Sequence, residues 1–172
     1  LNLLRDDLKI FPMRGNIDTR IRKLKDKEFD AIVLSLAGIQ MLNLENAVKE
    51  IFTIEQMLPA IGQGVIALQC KQDDRETLNV LKELNHKETY YCTQAERSLL
   101  EAIEGDCDTA IGGLATLSND KIYLKSQLFS NDGKKKFEVE SSGHFKKAKE
   151  IGYKVGNELL KKAGADFITQ GR

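Results

Sequence analysis

Thr109-Ala110-Ile111-Gly112-Gly113-Leu114-Ala115-Thr116-Leu117-Ser118-Asn119-Asp120-Lys121-Ile122-Tyr123-Leu124-Lys125-Ser126-Gln127-Leu128-Phe129 contains two short strands, near 109–117 and 121–129, on either side of Asn119-Asp120. That dipeptide is a good hairpin turn sequence. A second turn sequence, Asn131-Asp132-Gly133, leads into a third strand near 135–141. Working outward, the pattern before the strands is helical. One helix is expected over roughly 74–84 and another over roughly 88–103, where Tyr91, Ala95, Leu99 and Ile103 recur every four residues on one face. After the strands, a last helix is expected over about 144–163, stopped by Gly164, a suitable C-cap residue. Helices, an antiparallel meander and a covering helix make a small α+β domain, with its boundary near residue 74.

The chain before residue 74 reads differently. Residues 8–12 (Leu-Lys-Ile-Phe-Pro) predict a short strand stopped by Pro12, which has no N–H for a ladder. Gly15-Asn16 supplies a turn and an N-cap, and Ile17 to about Lys27 a helix with a narrow stripe of Ile17, Ile21 and Leu24. Asp30-Ala31-Ile32-Val33-Leu34-Ser35 is an apolar, partly β-branched run that suits a strand buried on both faces of a parallel sheet. Ala37-Gly38 begins another short helix. Pro59-Ala60-Ile61-Gly62-Gln63-Gly64 is a connector into a strand over 65–70. This β-α-β-α rhythm is part of an α/β layer. Two strands and two short helices are too few to stand alone against chain entropy.

The chain has 172 residues, room for one ordinary domain or two small ones. Apolar residues make up 41% and charged residues 30%, a globular mixture rather than a disordered one. Twenty-six basic residues cancel twenty-six acidic ones, so no net field points to nucleic acid. The longest apolar runs, such as 31–34 and 64–68, are far short of the ~20 residues a bilayer span needs. Three cysteines without CxxC spacing argue against a disulfide scaffold and a zinc ribbon. No metal site is expected. A soluble, cytoplasmic protein is the default. A start at Leu1 instead of Met, with no leader-like pattern, reads as a fragment or processed chain.

Two places can carry chemistry. In Arg14-Gly15-Asn16-Ile17-Asp18-Thr19-Arg20, a helix N-terminus lies between two arginines. Each of those terms favours a carboxylate or phosphate. The competing reading is a solvated basic helix face. The second place is Cys107, in Glu104-Gly105-Asp106-Cys107-Asp108-Thr109. Three carboxylates disfavour its thiolate, which argues against a redox sensor or a protease nucleophile. A thiol there suits a single covalent attachment to a reactive electrophile, or is an incidental loop cysteine. Cys70 and Cys92 read as buried small hydrophobes. His86 and His144 read as capping or surface residues, and the lysine run 134–136 as a solvated hairpin arm.

Taken together and in order, four motifs resemble the porphobilinogen deaminase family. They are Arg14-Gly15-Asn16-x-x-Thr19-Arg20; Asp30-Ala31-Ile32 with Ala37-Gly38; Leu58-Pro59-Ala60-Ile61-Gly62-Gln63-Gly64; and Glu104-Gly105-x-Cys107 with Ile111-Gly112. They extend over nearly the whole chain. The resemblance implies two periplasmic-binding-like α/β domains and a third, smaller α+β domain. On that plan, residues 1–58 are the second half of domain 2, 59–73 the hinge and a strand of domain 1, and 74–172 the cofactor-carrying domain 3. It also implies a transferase of haem and tetrapyrrole biosynthesis that joins four porphobilinogen units into hydroxymethylbilane with release of ammonia. Its dipyrromethane cofactor is attached through a thioether to the residue matched by Cys107.

Each pyrrole ring carries an acetate and a propionate, so guanidinium forks are natural counterparts. By resemblance Arg14 and Arg20 are such anion-binding arginines, and Gln63 and Gly38 stand near the cofactor. In one departure, the family arginine three residues beyond the glycine is replaced by Met41. The family's catalytic aspartate is expected upstream of Leu1, so the chain alone is expected to be inactive. Expected partners are porphobilinogen and oligopyrrole intermediates, with neither nucleic acid nor membrane. The full-length protein is expected to be a monomer, and unpaired strands near 8–12 or 65–70 give the fragment a route to self-association. The alternative is a non-catalytic module that binds a dicarboxylate or other anion.

Overall fold

The two hairpins of the opening stretch form as read, and the rest of their domain is built on them. The computed structural model describes residues 1–106 and 108–164. Its helices are α1 (Ile17–Lys25), α2 (Leu36–Met41), α3 (Arg75–Leu84), α4 (Lys87–Ala102) and α5 (Ala148–Ala163). Its strands are β1 (Ile111–Ser118), β2 (Lys121–Phe129) and β3 (Lys136–His144), in one antiparallel sheet of order β1-β2-β3. The chain separates into two compact units, 1–53 and 54–172.

In the second unit, Ser118 pairs with Lys121 across Asn119-Asp120, whose φ values of 48° and 61° are those of a type I′ turn. That turn matches the right-handed strand twist. Ile122, Leu124, Ser126 and Leu128 alternate inward along β2 and are essentially sealed from solvent. They meet Ala95 and Leu99 of α4 and Ile151, Val155 and Leu159 of α5 in one core. Two glycines let the helices approach closely. A Cβ at Gly152 would lie 2.0 Å from the Ala95 carbonyl oxygen, and one at Gly156 2.5 Å from Ala102 Cβ. Asp74 caps α3 by accepting from the Thr77 amide at 3.0 Å, and His86 caps α4 through Nδ1, 3.3 Å from the Thr89 amide.

The end of the meander differs from expectation. β3 continues to His144 instead of stopping near 141, because Ser141, Ser142 and Gly143 still pair with Leu124, Tyr123 and Ile122. The last helix therefore begins after a 3₁₀ turn at Phe145–Lys147, and His144 caps that turn by accepting from the Lys146 amide.

The first unit holds α1 and α2. A Cβ at Gly38 would lie 2.5 Å from Ile17 Cδ1, so α2 approaches α1 at its glycine. Ile39 is the buried hydrophobic of this unit. The expected strands at 8–12, 30–35 and, in the second unit, 65–70 carry no ladder among the described residues. A strand exists only when a neighbour accepts and donates its backbone bonds. Among the described residues these runs form no such ladder, and Val33 (51%) and Ile66 (80%) stay exposed.

Candidate functional site

The arginine turn is local to the first unit. Gly15 has φ 117°, in the region that favours glycine, and a Cβ there would come within 3.1 Å of Thr19 Cγ2. This kink lets the Arg20 side chain fold back, its Nε donating to the Gly15 carbonyl at 2.7 Å. Arg20 is thereby held half-buried at the start of α1, while Arg14 is exposed on the other flank of the same turn. Asn16 occupies the N-cap position in extended geometry, but its side chain makes no cap bond, contrary to a capping role for it. The first N–H groups of α1 have no intrahelical partner. Helix N-termini and guanidinium groups both favour anions, so this turn is the candidate anion site of the first unit. Gly38 sits behind it against Ile17, and Met41 at the end of α2 is 78% exposed.

In the second unit, Gln63 occupies a tight turn. Its N–H donates to the Ala60 carbonyl at 3.0 Å, and glycines with φ 70° and 82° stand on either side. The connector before it is docked on β1. The Gly113 N–H donates to the Pro59 carbonyl at 2.9 Å, and a Cβ at Gly112 would lie 3.0 Å from Leu58 Cβ. A shallow cleft of about 350 Å³ lies between this connector, α4 and β1, with Gln63, His86, Cys92 and Glu96 among its walls. Burial, then the Glu96 and Glu88 carboxylates, push the Cys92 thiol up to about 11, so this half-buried cysteine is not a nucleophile.

Cys107 itself lies outside the described residues. Its flanks are well defined. α4 ends with the Glu104 N–H donating to the Glu101 carbonyl and the Gly105 N–H to the Leu100 carbonyl, with Glu104 at φ 51°. This is the double bond of a Schellman C-terminus. Asp106, Asp108 and Thr109 are hydrogen-bonded to one another. The Asp108 amide donates to Asp106 Oδ1 at 3.0 Å, and the Asp106 amide donates to Thr109 Oγ1 at 2.9 Å. The Asp108 amide first, then the Thr109 hydroxyl donating to Oδ1 at 3.1 Å, hold the Asp106 carboxyl below its ordinary pKa and so keep a negative charge at position 106. Asp106 and Asp108 are both exposed.

Sequence reasoning missed Glu96. It lies beside the apolar stripe of α4, is 6% exposed, and accepts from two backbone amides: Ala115 on Oε1 and Gly62 on Oε2, each at 2.8 Å. Burial raises its pKa, and the two amide bonds partly oppose the rise. The one available signal was a carboxylate placed next to the Ala95/Leu99 core stripe, and a single sequence does not distinguish that from an exposed flank. Among the described residues no group of three or more His, Cys, Asp or Glu side chains is arranged to hold a metal. No helix among them is long and apolar enough to cross a membrane.

Two family models match the chain. Residues 1–79 match "Porphobilinogen deaminase, dipyromethane cofactor binding domain", and residues 90–161 match "Porphobilinogen deaminase, C-terminal domain". The latter range covers most of α4 through α5. Among curated relatives, the porphobilinogen deaminase of Syntrophomonas wolfei is 34% identical over 172 residues, 100% of this chain and 56% of the relative. That of Coxiella burnetii is 40% identical over 162 residues, 94% of this chain and 53% of the relative. That of Desulforamulus reducens is 36% identical over 168 residues, 98% and 54%. The chain thus spans about half the length of the curated relatives it matches. On these matches, together with the arginine turn, the glycine connector and the α4–β1 turn, the chain belongs to the porphobilinogen deaminase family.

Proposed function

We propose that this chain contributes the cofactor-tethering part of a hydroxymethylbilane synthase, which joins four porphobilinogen units head to tail and releases their amino groups as ammonia. The observation that carries this reading is the match of residues 1–79 and 90–161 to the two deaminase domain models, with Glu104-Gly105-x-Cys107 in the sequence between α4 and β1. A thiol there is suited to forming one C–S bond: the C–N bond of a porphobilinogen aminomethyl group breaks with release of ammonia, the sulfur bonds to that methylene carbon, and the thiol proton balances the ammonia released. The negative charge of Asp106 slows that addition by disfavouring the thiolate, which a once-only attachment tolerates. When bound, the dipyrromethane supplies the nucleophilic pyrrole carbon from which the chain is extended.

The chain's own residues do the binding. Arg20, fixed by its bond to the Gly15 carbonyl, and Arg14 on the same turn receive the acetate and propionate arms. An arginine held in place before the ligand arrives loses less entropy on binding. The Gln63 turn and Gly38 complete the cofactor surroundings. Residues 1–58 are assigned to domain 2, with the periplasmic-binding-like plan, 59–73 to the hinge and a strand of domain 1, and 74–172 to domain 3. The runs at 8–12, 30–35 and 65–70, which form no ladder among the described residues, are read as strands whose neighbours lie in the part of the longer relatives that this chain does not span. The proton transfers at the leaving amine are assigned to an aspartate there as well. The working enzyme is read as a cytoplasmic monomer.

The test is ammonia release from porphobilinogen. The full-length protein is expected to release it and to form hydroxymethylbilane, the 172-residue chain alone to release none, and Arg20→Leu in the full-length protein to lower turnover at least about tenfold. A full-length protein that binds porphobilinogen reversibly without turnover would instead make this an anion-binding module.

A further inference from the structure

The stretch 58–64 runs along the outer edge of β1, where an antiparallel strand leaves every second N–H pointing away from its partner. Gly113 and Ala115, two residues apart, are such donors. The first donates to the Pro59 carbonyl and the second to Glu96 Oε1, while the Gly62 N–H donates to Glu96 Oε2. One buried carboxylate therefore joins three elements: α4, which carries it, the edge of β1, and the turn that carries Gln63. No lysine or arginine among the described residues pairs with it, so backbone amides alone satisfy its charge.

We propose that Glu96 is a positioning residue: its carboxylate fixes the Gly62–Gln63 turn to the outer edge of β1 and so sets where Gln63 stands on this unit. The chemistry of the site is demanding. Two N–H groups converge, so the partner must accept twice. Leucine accepts neither bond, and leaves both donors unmet. Glutamine accepts one on its carbonyl and turns its own NH₂ toward the other. Aspartate is one methylene too short to keep both. The contrast with residues 65–70 supports the assignment. Beyond the turn, residues 65–69 are exposed and form no ladder among the described residues, although they are as apolar as the docked part. The placement of the turn stands on this geometry by itself. That Gln63 faces the cofactor rests on the function proposed above.

The other titratable groups of the cleft are His86, Glu88 and Cys92, all from α4 or its cap. The facing residues of the connector and of β1 (Pro59, Ala60, Gln63, Leu114, Ala115, Thr116) carry none, and Arg97 follows Glu96 in sequence. The deciding experiment is NMR on the 172-residue chain. The Gly62 and Ala115 amide protons are expected to move together with pH, at one midpoint above the ordinary glutamate range. Glu96→Gln is expected to abolish this titration. After correction for intrinsic rates, Gly62 exchange is expected to rise about tenfold in Glu96→Gln and to approach that of residues 65–70 in Glu96→Leu. Exchange at Val155, in the core, is expected to stay within about twofold. Independent titration of the two amides, unchanged Gly62 exchange in Glu96→Leu, or a rise matched by Val155 would each overturn the proposal. If neither variant folds, the titration of the unsubstituted chain decides. Ammonia release by the full-length protein tests the deaminase reading separately, so the two can fail independently.

Discussion

Residues 1–53 and the α4–β1–β2–β3–α5 domain have comparable apolar content in their helices and strands but very different interiors. In the first unit Ile39 is buried, while Ile10, Phe11, Val33 and Met41 are more than half exposed. In the second, Leu99, Ile122, Leu124, Leu128, Val155 and Leu159 are essentially sealed. The difference is one of connectivity. A hairpin strand meets its partner two to six residues later, so the sheet is complete within Ile111–His144 and two helices cover it. A strand of parallel type depends on a neighbour from elsewhere in the chain, and an apolar run without one stays in the solvent.

The most severe way to probe this contrast is to overfill the close contact between α4 and α5. Gly152→Ala places a methyl group against the Ala95 carbonyl, with an expected loss of about 3 kcal/mol in urea denaturation. Val33→Ala in the first unit is expected to change stability by less than about 0.5 kcal/mol. Equal costs would erase the distinction between the two regions. A sharper probe uses pH. Burial raises the pKa of Glu96 in the folded chain, so the folded state holds that proton more tightly than the unfolded one. Stability is therefore greatest below the ordinary glutamate value and falls as pH rises through the folded value. Denaturation midpoints measured across that window should show the decline, and Glu96→Gln should flatten it. A smaller effect is expected at the β1–β2 turn. Asp120, at φ 61°, is replaced favourably by glycine, with a gain of about 0.5 kcal/mol in the same assay.

The α+β domain was legible because its signals are local. Asn119-Asp120 specifies its turn, the four-residue stripe from Tyr91 to Ile103 specifies a helix face, and Gly164 stops a helix at φ 85°. Legibility failed where the outcome depends on residues far away in sequence. Ser141-Ser142-Gly143 looks like the start of a loop, yet it stays in β3 because β2 offers partners. The run at 30–35 looks like a strand, yet it forms no ladder among the described residues. Arg14, Arg20 and Gln63 could be singled out as candidates because motifs carry them. Glu96 could not, since its role exists only when Gly62 and Ala115, 34 residues before and 19 after it, converge on it.

Intact-mass measurement with peptide mapping, on the full-length protein containing this sequence, tests the tethering role most directly. After exposure to porphobilinogen, a dipyrromethane-sized mass is expected on the peptide that contains Cys107, and it should be lost in Cys107→Ser. A protein that forms hydroxymethylbilane while the Cys107 peptide keeps its unmodified mass would contradict the account.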